Sequence, residues 1–324
     1  MKTLPRPLLT ATAALILGLV SVAAAPIPGG WDKVDPAKPK QVLYFTKSAG
    51  FEHSVVKRSN ATELAYSEKI LAGLGASNRF QVTCTKDGAV FTPENLAKYD
   101  VFVFYTSGLL TEPGTDKQPA MTPAGKAALL QAIRDGKGFV GLHSASDSFH
   151  HQPDAADKSA RFVSYRDTLD PYVAMLGAEF IRHGPQQSAT LIVVDNRFPG
   201  VAEIKEDRCT LHEEWYTFKD FALDMHVLLA QVTQGMKGVD YQRANYPNTW
   251  ARREGKGRVY YTGMGHREDV WTNPMYQKLL LGAIGWAAGN VTADVSPNLE
   301  KATPGHREIQ PREDPNAAPK KAKK

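Results

Sequence analysis

The 324-residue chain has little of what would tie it to a covalent framework, a nucleotide, a nucleic acid or a membrane. It has two cysteines, Cys84 and Cys209, too few for a disulfide scaffold. An oxidising compartment would permit one bridge, but spacing alone does not bring two thiols together. Two buried free thiols is the plainer reading, because both lie in apolar, strand-like runs. No Gly-x-x-x-x-Gly-Lys loop is present to cradle a phosphate. Lys47-Ser48-Ala49-Gly50, after the first expected strand, is a poor dinucleotide fingerprint. No His-Glu-x-x-His helix and no Cys-x-x-Cys pair marks a compact metal site. The formal charge of +5 includes Lys2 and Arg6 at the extreme N-terminus and a surplus of two near the C-terminus. Without those the body stands near +1, which excludes an electrostatic footprint for nucleic acid.

What is present begins with an N-terminal address. Lys2 and Arg6 precede an apolar run from Leu8 to Val20, followed by Ala23, Ala24 and Ala25. The run is too short to span a bilayer and has the form of a secretory signal cut after Ala24 or Ala25. The expected organisation is a signal peptide at 1–25, a linker at 26–40, one domain at 41–290 and a disordered basic tail at 291–324. The expected location is the periplasm or the exterior, without stable membrane insertion once the signal is removed. A homo-oligomer is compatible with the sequence.

The first half alternates strand and helix. Residues 42–46, 79–85, 100–105 and 138–142 are expected strands; 100–105 is apolar enough to be central in a parallel sheet. A helix carrying Leu64, Ile70, Leu71 and Leu74 should stop near Gly73 and Gly75. Thr122-Pro123 offers a cap and a first-turn proline for another, closed by Gly136. This is the pattern of a doubly wound α/β sheet. The middle differs: 188–195, 209–218 and 225–233 look like strands without intervening helices, an antiparallel extension beside the sheet. Residues 257–262 return to a buried strand, and Asn273-Pro274 caps a last helix ending at Gly289.

The chemistry-bearing residues are mainly histidines, which exchange protons near neutral pH and ligate metals when neutral. His53, His143 and His266 each follow an expected strand, and His150 and His183 likewise sit just past a strand or beside a glycine. If the strands are parallel, the loops carrying those three open on one sheet edge, where α/β folds place their pockets. Gly138-Phe139-Val140-Gly141-Leu142-His143 followed by Ser144-Ala145-Ser146-Asp147 is the strongest such segment. It occupies the place of a nucleophile elbow but lacks the flanking glycines, so Ser144 is a weak nucleophile candidate. In Glu213-Glu214-Trp215-Tyr216, adjacent strand carboxylates point to opposite faces. One can reach the pocket while the other meets water or a backbone donor. Trp215 either stacks on a sugar or packs in the core. On ligand types alone, His212 with Glu213 or Glu214, together with His143, Asp147 and His183, could hold Zn or another divalent ion.

Taken together, several phrases resemble the ThuA-like (trehalose-utilisation) family over roughly residues 41–289. They are Phe45-Thr46-Lys47 leading to Gly50-Phe51-Glu52-His53; Tyr99-Asp100-Val101; the 138–147 segment; Leu176-Gly177-Ala178 through Phe180 to His183; Glu213-Glu214-Trp215-Tyr216; and 257–266, ending Gly263-Met264-Gly265-His266. The resemblance implies a flavodoxin-like fold similar to class I glutamine amidotransferases. In those enzymes the elbow holds a catalytic cysteine. Here His143 takes that place, so thiolate-dependent glutamine hydrolysis is not expected. His266-Arg267-Glu268 sits where their late His-x-Glu does. The chain departs from the family pattern at Phe198-Pro199 and Tyr246-Pro247, where relatives carry His-Pro, so no role passes to those positions.

The resemblance points to carbohydrate catabolism. The leading expectation is an exported protein performing acid/base chemistry on a disaccharide or keto-sugar. His143, His266 and Glu214 would be catalytic, and His53, Asp147, His183, Glu213 and Trp215 would bind substrate. The alternatives are a non-catalytic sugar-binding protein and a metal-dependent hydrolase.

Overall fold

The computed structural model describes residues 28–151 and 161–309. The expected signal and the last part of the expected tail lie outside them. Eleven strands form: β1 (Lys40–Phe45), β2 (Phe80–Thr85), β3 (Val101–Phe104), β4 (Gly138–Leu142), β5 (Glu179–His183), β6 (Gln187–Val193), β7 (Arg208–Glu213), β8 (Tyr216–Lys219), β9 (His226–Gln231), β10 (Tyr246–Glu254) and β11 (Gly257–Thr262). The helices are α1 (Tyr66–Ser77), α2 (Pro93–Leu96), α3 (Pro123–Arg134), α4 (Pro171–Leu176), α5 (Glu268–Trp271), α6 (Pro274–Ala287) and α7 (Leu299–Ala302).

Nine strands make one sheet in the order β2-β1-β3-β4-β11-β10-β9-β6-β7, and β5 and β8 pair separately. From β2 to β11 every pairing is parallel, and from β11 to β7 every pairing is antiparallel. The parallel part has the flavodoxin order, two-one-three-four-five, with a switch point between β1 and β3. The mixed α/β architecture is thus a flavodoxin-like sheet with an antiparallel extension.

Alternating strand residues feed a core on each face. Val42 and Tyr44 join Trp271, Leu279 and Ile284 on one side. Leu43 and Phe45 join Leu129, Ile133 and Tyr172 on the other. Thr122 caps α3 by accepting from Gly125 N at 2.9 Å, and Asn273 caps α6 by accepting from Met275 N at 2.9 Å. Each is followed by proline at the first helical position, where no N–H is needed.

Five expectations change. The stretch 209–218 is two strands, not one: β7 stops at Glu213 and β8 starts at Tyr216 in a different sheet. β10, unexpected because Pro247 and buried Asn248 and Thr249 hide its pattern, lies between β9 and β11. Its register shifts at Pro247, where a ladder donor is missing. α1 continues past Gly73 and Gly75, because Leu71 is fully buried and packing outweighs the low propensity of glycine. The stretch 26–40 is not a bare linker: Trp31 is fully buried and its indole donates to the Leu281 carbonyl at 3.0 Å. Nor is 291–309 a disordered tail. Leu299, Thr303 and His306 are buried, and Asn298 brackets Val227 with hydrogen bonds of 2.6 and 3.1 Å.

Cys84 and Cys209 are free and sit on β2 and β7, the opposite edges of the sheet. Burial pushes their thiols up to about 12 and about 11, which leaves them unreactive at neutral pH. Among the described residues no helix is long and apolar enough to cross a membrane.

Candidate metal centre

The carboxyl ends of β1, β4 and β11 bring His53, His143 and His266 together. The three rings lie edge to face with centroids 5.1, 5.1 and 5.2 Å apart. His143 is the first residue past β4 and has φ +41°, a left-handed conformation that costs a non-glycine residue of order 1–3 kcal/mol. Its carbonyl is gripped there by the Tyr261 hydroxyl at 2.6 Å and the Ser146 hydroxyl at 3.2 Å. The strand-to-helix elbow therefore throws the imidazole forward, onto the ring of Tyr216 (4.1 Å).

The carboxylate comes from the antiparallel side. Because β7 ends at Glu213, Glu214 sits in the link to β8 and reaches the imidazoles. Its Oε2 is 3.1 Å from His266 Nδ1 and 3.6 Å from His143 Nε2, and its Oε1 is 3.3 Å from His183 Nδ1. Glu213 turns to the backbone instead. It accepts from Gly265 N (2.8 Å), His266 N (3.1 Å) and Glu214 N (2.8 Å), fixing the His266 loop to the Glu214 link. Gly265 serves that loop with φ +120°; a Cβ there would stand 2.6 Å from the Tyr276 hydroxyl.

Burial would raise the Glu214 carboxyl, but the adjoining imidazoles of His143 and His266 outweigh it and hold it well below the usual range. Burial, with the neighbouring His143 and His266, depresses His53 to about 2, so this imidazole is neutral at any physiological pH. Burial pushes Glu213 upward, opposed by His143 and the backbone donors.

The ring nitrogens converge on one another and on Glu214. His143 Nδ1 donates to the Gly263 carbonyl at 2.9 Å, which leaves its Nε2 a lone pair facing His266 Nδ1 at 3.3 Å. His53 Nδ1 is buried without a partner, as is the Tyr105 hydroxyl beside it. Donor atoms of His53, His143, Glu214 and His266 all lie within 4.8 Å of one another. A tetrahedral zinc site with bonds of about 2.05 Å has donor–donor edges of about 3.3 Å. The separations of 3.1, 3.3 and 3.6 Å among Glu214, His266 and His143 match that edge. The donor set and its second shell, with a backbone carbonyl on the far nitrogen of His143, fit a divalent metal.

The other expected site residues fall elsewhere. Trp215 does not face a ligand: it is fully buried, and its indole donates to the Gln187 carbonyl at 2.8 Å. Asp147 pairs instead with His150 at 3.0 Å and is raised by burial to about 7. His212 lies on edge strand β7 against Ser188, so it is no partner of Glu214 in a metal site. His183 joins the cluster through Glu214 and is the most solvent-facing of the group. Tyr105 and Gln186 went unnoticed in the sequence. Tyr105 follows β3 and obeys the same strand-end rule as the histidines. Gln186, in a loop, has no signal.

A polar cleft of about 560 Å³ opens beside His266, lined also by Ser54, Gln186, Arg267 and Asp269. The sequence pattern of the ThuA family, described as trehalose utilisation, matches residues 41–287. The chain belongs to the ThuA family. A ThuA-like protein from Bacteroides uniformis is 18% identical, with a TM-score of 0.57, covering 82% of this chain and 94% of its own. One from Parabacteroides merdae is 19% identical, with a TM-score of 0.48, covering 84% and 100%. At 18% identity the likeness to the first is one of fold. No curated protein matches the chain.

Proposed function

We propose that this ThuA family member is a metal-dependent enzyme acting on a carbohydrate, a disaccharide or its keto derivative. His143, His266 and Glu214 would hold a zinc-like divalent ion, with His53 as the fourth donor. The observation that carries the reading is the convergence of three imidazoles and a carboxylate, their donor atoms all within 4.8 Å of one another and those of Glu214, His266 and His143 at tetrahedral-edge spacing. The family's link to trehalose utilisation and the polar, hydroxyl-matching cleft beside His266 support the substrate class.

When bound, such an ion supplies Lewis acidity to a sugar carbonyl or to a water. The chain's own residues do the rest. Glu213 fixes the loop that presents His266. The Gly263 carbonyl fixes the His143 tautomer. His183, half-exposed and with Nδ1 3.3 Å from Glu214 Oε1, would exchange protons between solvent and that carboxylate. The N-terminal pattern supports export as the setting.

The test is metal analysis of purified protein, followed by turnover of trehalose and oxidised trehalose before and after chelation. Stoichiometric metal and chelator-sensitive turnover are expected. Full turnover in metal-free protein would replace this reading with acid/base chemistry by the same residues. That alternative draws on the hydrogen bond joining His266 to Glu214. Sugar binding without product would mark a binding protein.

A further inference from the structure

One large side chain at the site is not used by the centre or by the core. Phe51 is 68% exposed, although residues on both sides of it are fixed. Ala49 N and Gly50 N donate to the Ser107 carbonyl at 2.8 and 3.0 Å. The Ser107 hydroxyl donates to the Phe51 carbonyl at 2.7 Å, and Thr115 Oγ1 donates to the Gly50 carbonyl at 2.6 Å. The loop lies so close to the end of β3 that a Cβ on Gly108, at φ +76°, would stand 2.4 Å from Gly50 N. This backbone is held in place while its ring is left in water, where the ring contributes little to folding. The ring stands edge to face on His53, with centroids 4.9 Å apart and planes at 85°. His53 in turn stands 5.1 Å from the ring of His266, which borders the polar cleft.

We infer that Phe51 is the stacking platform for a pyranose ring presented to the centre. The inference rests on the carbohydrate reading above and assigns it a subsite. A pyranose has an apolar C–H face and a rim of hydroxyls. Among the described residues Phe51 is the one exposed aromatic ring beside the imidazoles, Tyr66 in the cleft being half-buried, and Gln186, Arg267 and Asp269 in the cleft beside His266 offer polar groups for the rim. This is the role that buried Trp215 is unable to fill.

The experiment is calorimetric titration of trehalose, maltose and sucrose into metal-loaded wild type, Phe51→Ala, Phe51→Trp and Leu109→Ala, with metal content and sedimentation recorded for each. Leu109 is a second exposed apolar side chain on the loop after β3 and controls for general surface apolarity. Phe51→Ala should weaken the best-bound sugar about ten-fold, the scale of losing one buried aromatic face. Phe51→Trp should stay within about three-fold of wild type, because any ring can stack. Leu109→Ala and all metal contents should be unchanged. Wild-type affinity in Phe51→Ala overturns the inference. So does failure of wild type to bind any of the three sugars, in which case the metal content shows whether the centre survives alone. A change of sedimentation in Phe51→Ala would assign the ring to contact between copies and overturn it equally. Sugar binding that depends on Phe51 in a metal-free protein would uphold the platform while removing the metal.

Discussion

His226 and the imidazoles of the centre show what separates a structural histidine from a ligand. His226 Nδ1 meets the Ser296 carbonyl at 2.6 Å and Nε2 meets Asp195 at 3.0 Å, so both nitrogens are spent. The result is a clip that fastens the 291–309 arm to β9. At the centre His143 spends one nitrogen on a carbonyl and aims the other at Glu214 and His266, while buried His53 Nδ1 has no partner. Burial is similar in the two places. The difference is in the second nitrogen, and it separates a group that holds the fold from one left ready for a ligand.

Alanine at the two kinds of site should break this comparison most visibly. His143→Ala should lower metal affinity more than about 100-fold, since loss of even an outer-shell partner costs 10–100-fold. His226→Ala should leave metal content untouched. Metal analysis after dialysis against a weak chelator checks both, and equal loss in the two variants would erase the distinction. The same His226→Ala change should cost about 1–3 kcal/mol of stability by leaving the Ser296 carbonyl unpaired and Asp195 with Arg197 alone. It should also release the arm, seen as faster proteolysis after residue 290.

Acid should sharpen the comparison from a second direction. His53 is depressed from 6.5 to about 2, so between those limits the unfolded chain binds the proton and the native chain does not. His53 therefore contributes a loss of stability to the metal-stripped protein as pH drops below about 6.5, by at most about 1.4 kcal/mol per unit. Glu214, also depressed, adds a loss of the same sign, beginning only below its unfolded value near 4.5. In His53→Gln the slope between pH 6.5 and 4.5 should flatten while the steeper fall below 4.5 remains. Urea midpoints across that range measure it.

How far the sequence discloses the site follows the same division. His53, His143 and His266 each stand immediately beyond or close to an apolar run, and a parallel sheet necessarily gathers such ends on one edge. Glu214 could be suspected but not placed. Its reach depends on β7 stopping one residue before it, and the unbroken β-like pattern of 209–218 conceals that break. Trp215 was ambiguous because a strand aromatic fits core and platform equally; only the Gln187 carbonyl waiting for its indole decides for the core. β10 and the 291–309 arm were obscured because their burial is polar, through Asn248, Thr249, Arg252 and Thr303, and periodicity counts apolar residues alone. Tertiary hydrogen bonds carry that information, and no local window contains it.

The smallest effect expected concerns which nitrogen of His266 carries its proton. Gln186 Oε1 accepts from Arg267 at 2.8 Å, which turns its amide N–H toward His266 Nε2 at 2.9 Å and sets the ring proton on Nδ1, facing Glu214. Metal ligation needs Nδ1 bare, with the proton on Nε2 instead. Gln186 must then turn its oxygen to the ring and give up Arg267. Gln186→Glu removes that conflict, because a carboxylate can accept from His266 Nε2 and from Arg267 together. As a carboxylate behind a ligating imidazole it also raises the donor strength of the ring. Metal affinity should rise about three- to ten-fold in Gln186→Glu, read by competition with a chromogenic chelator, and Gln186→Leu should change it less. A fall in affinity for Gln186→Glu would mean that His266 stays protonated on Nδ1 and serves as an acid, with the remaining donors holding the ion without it.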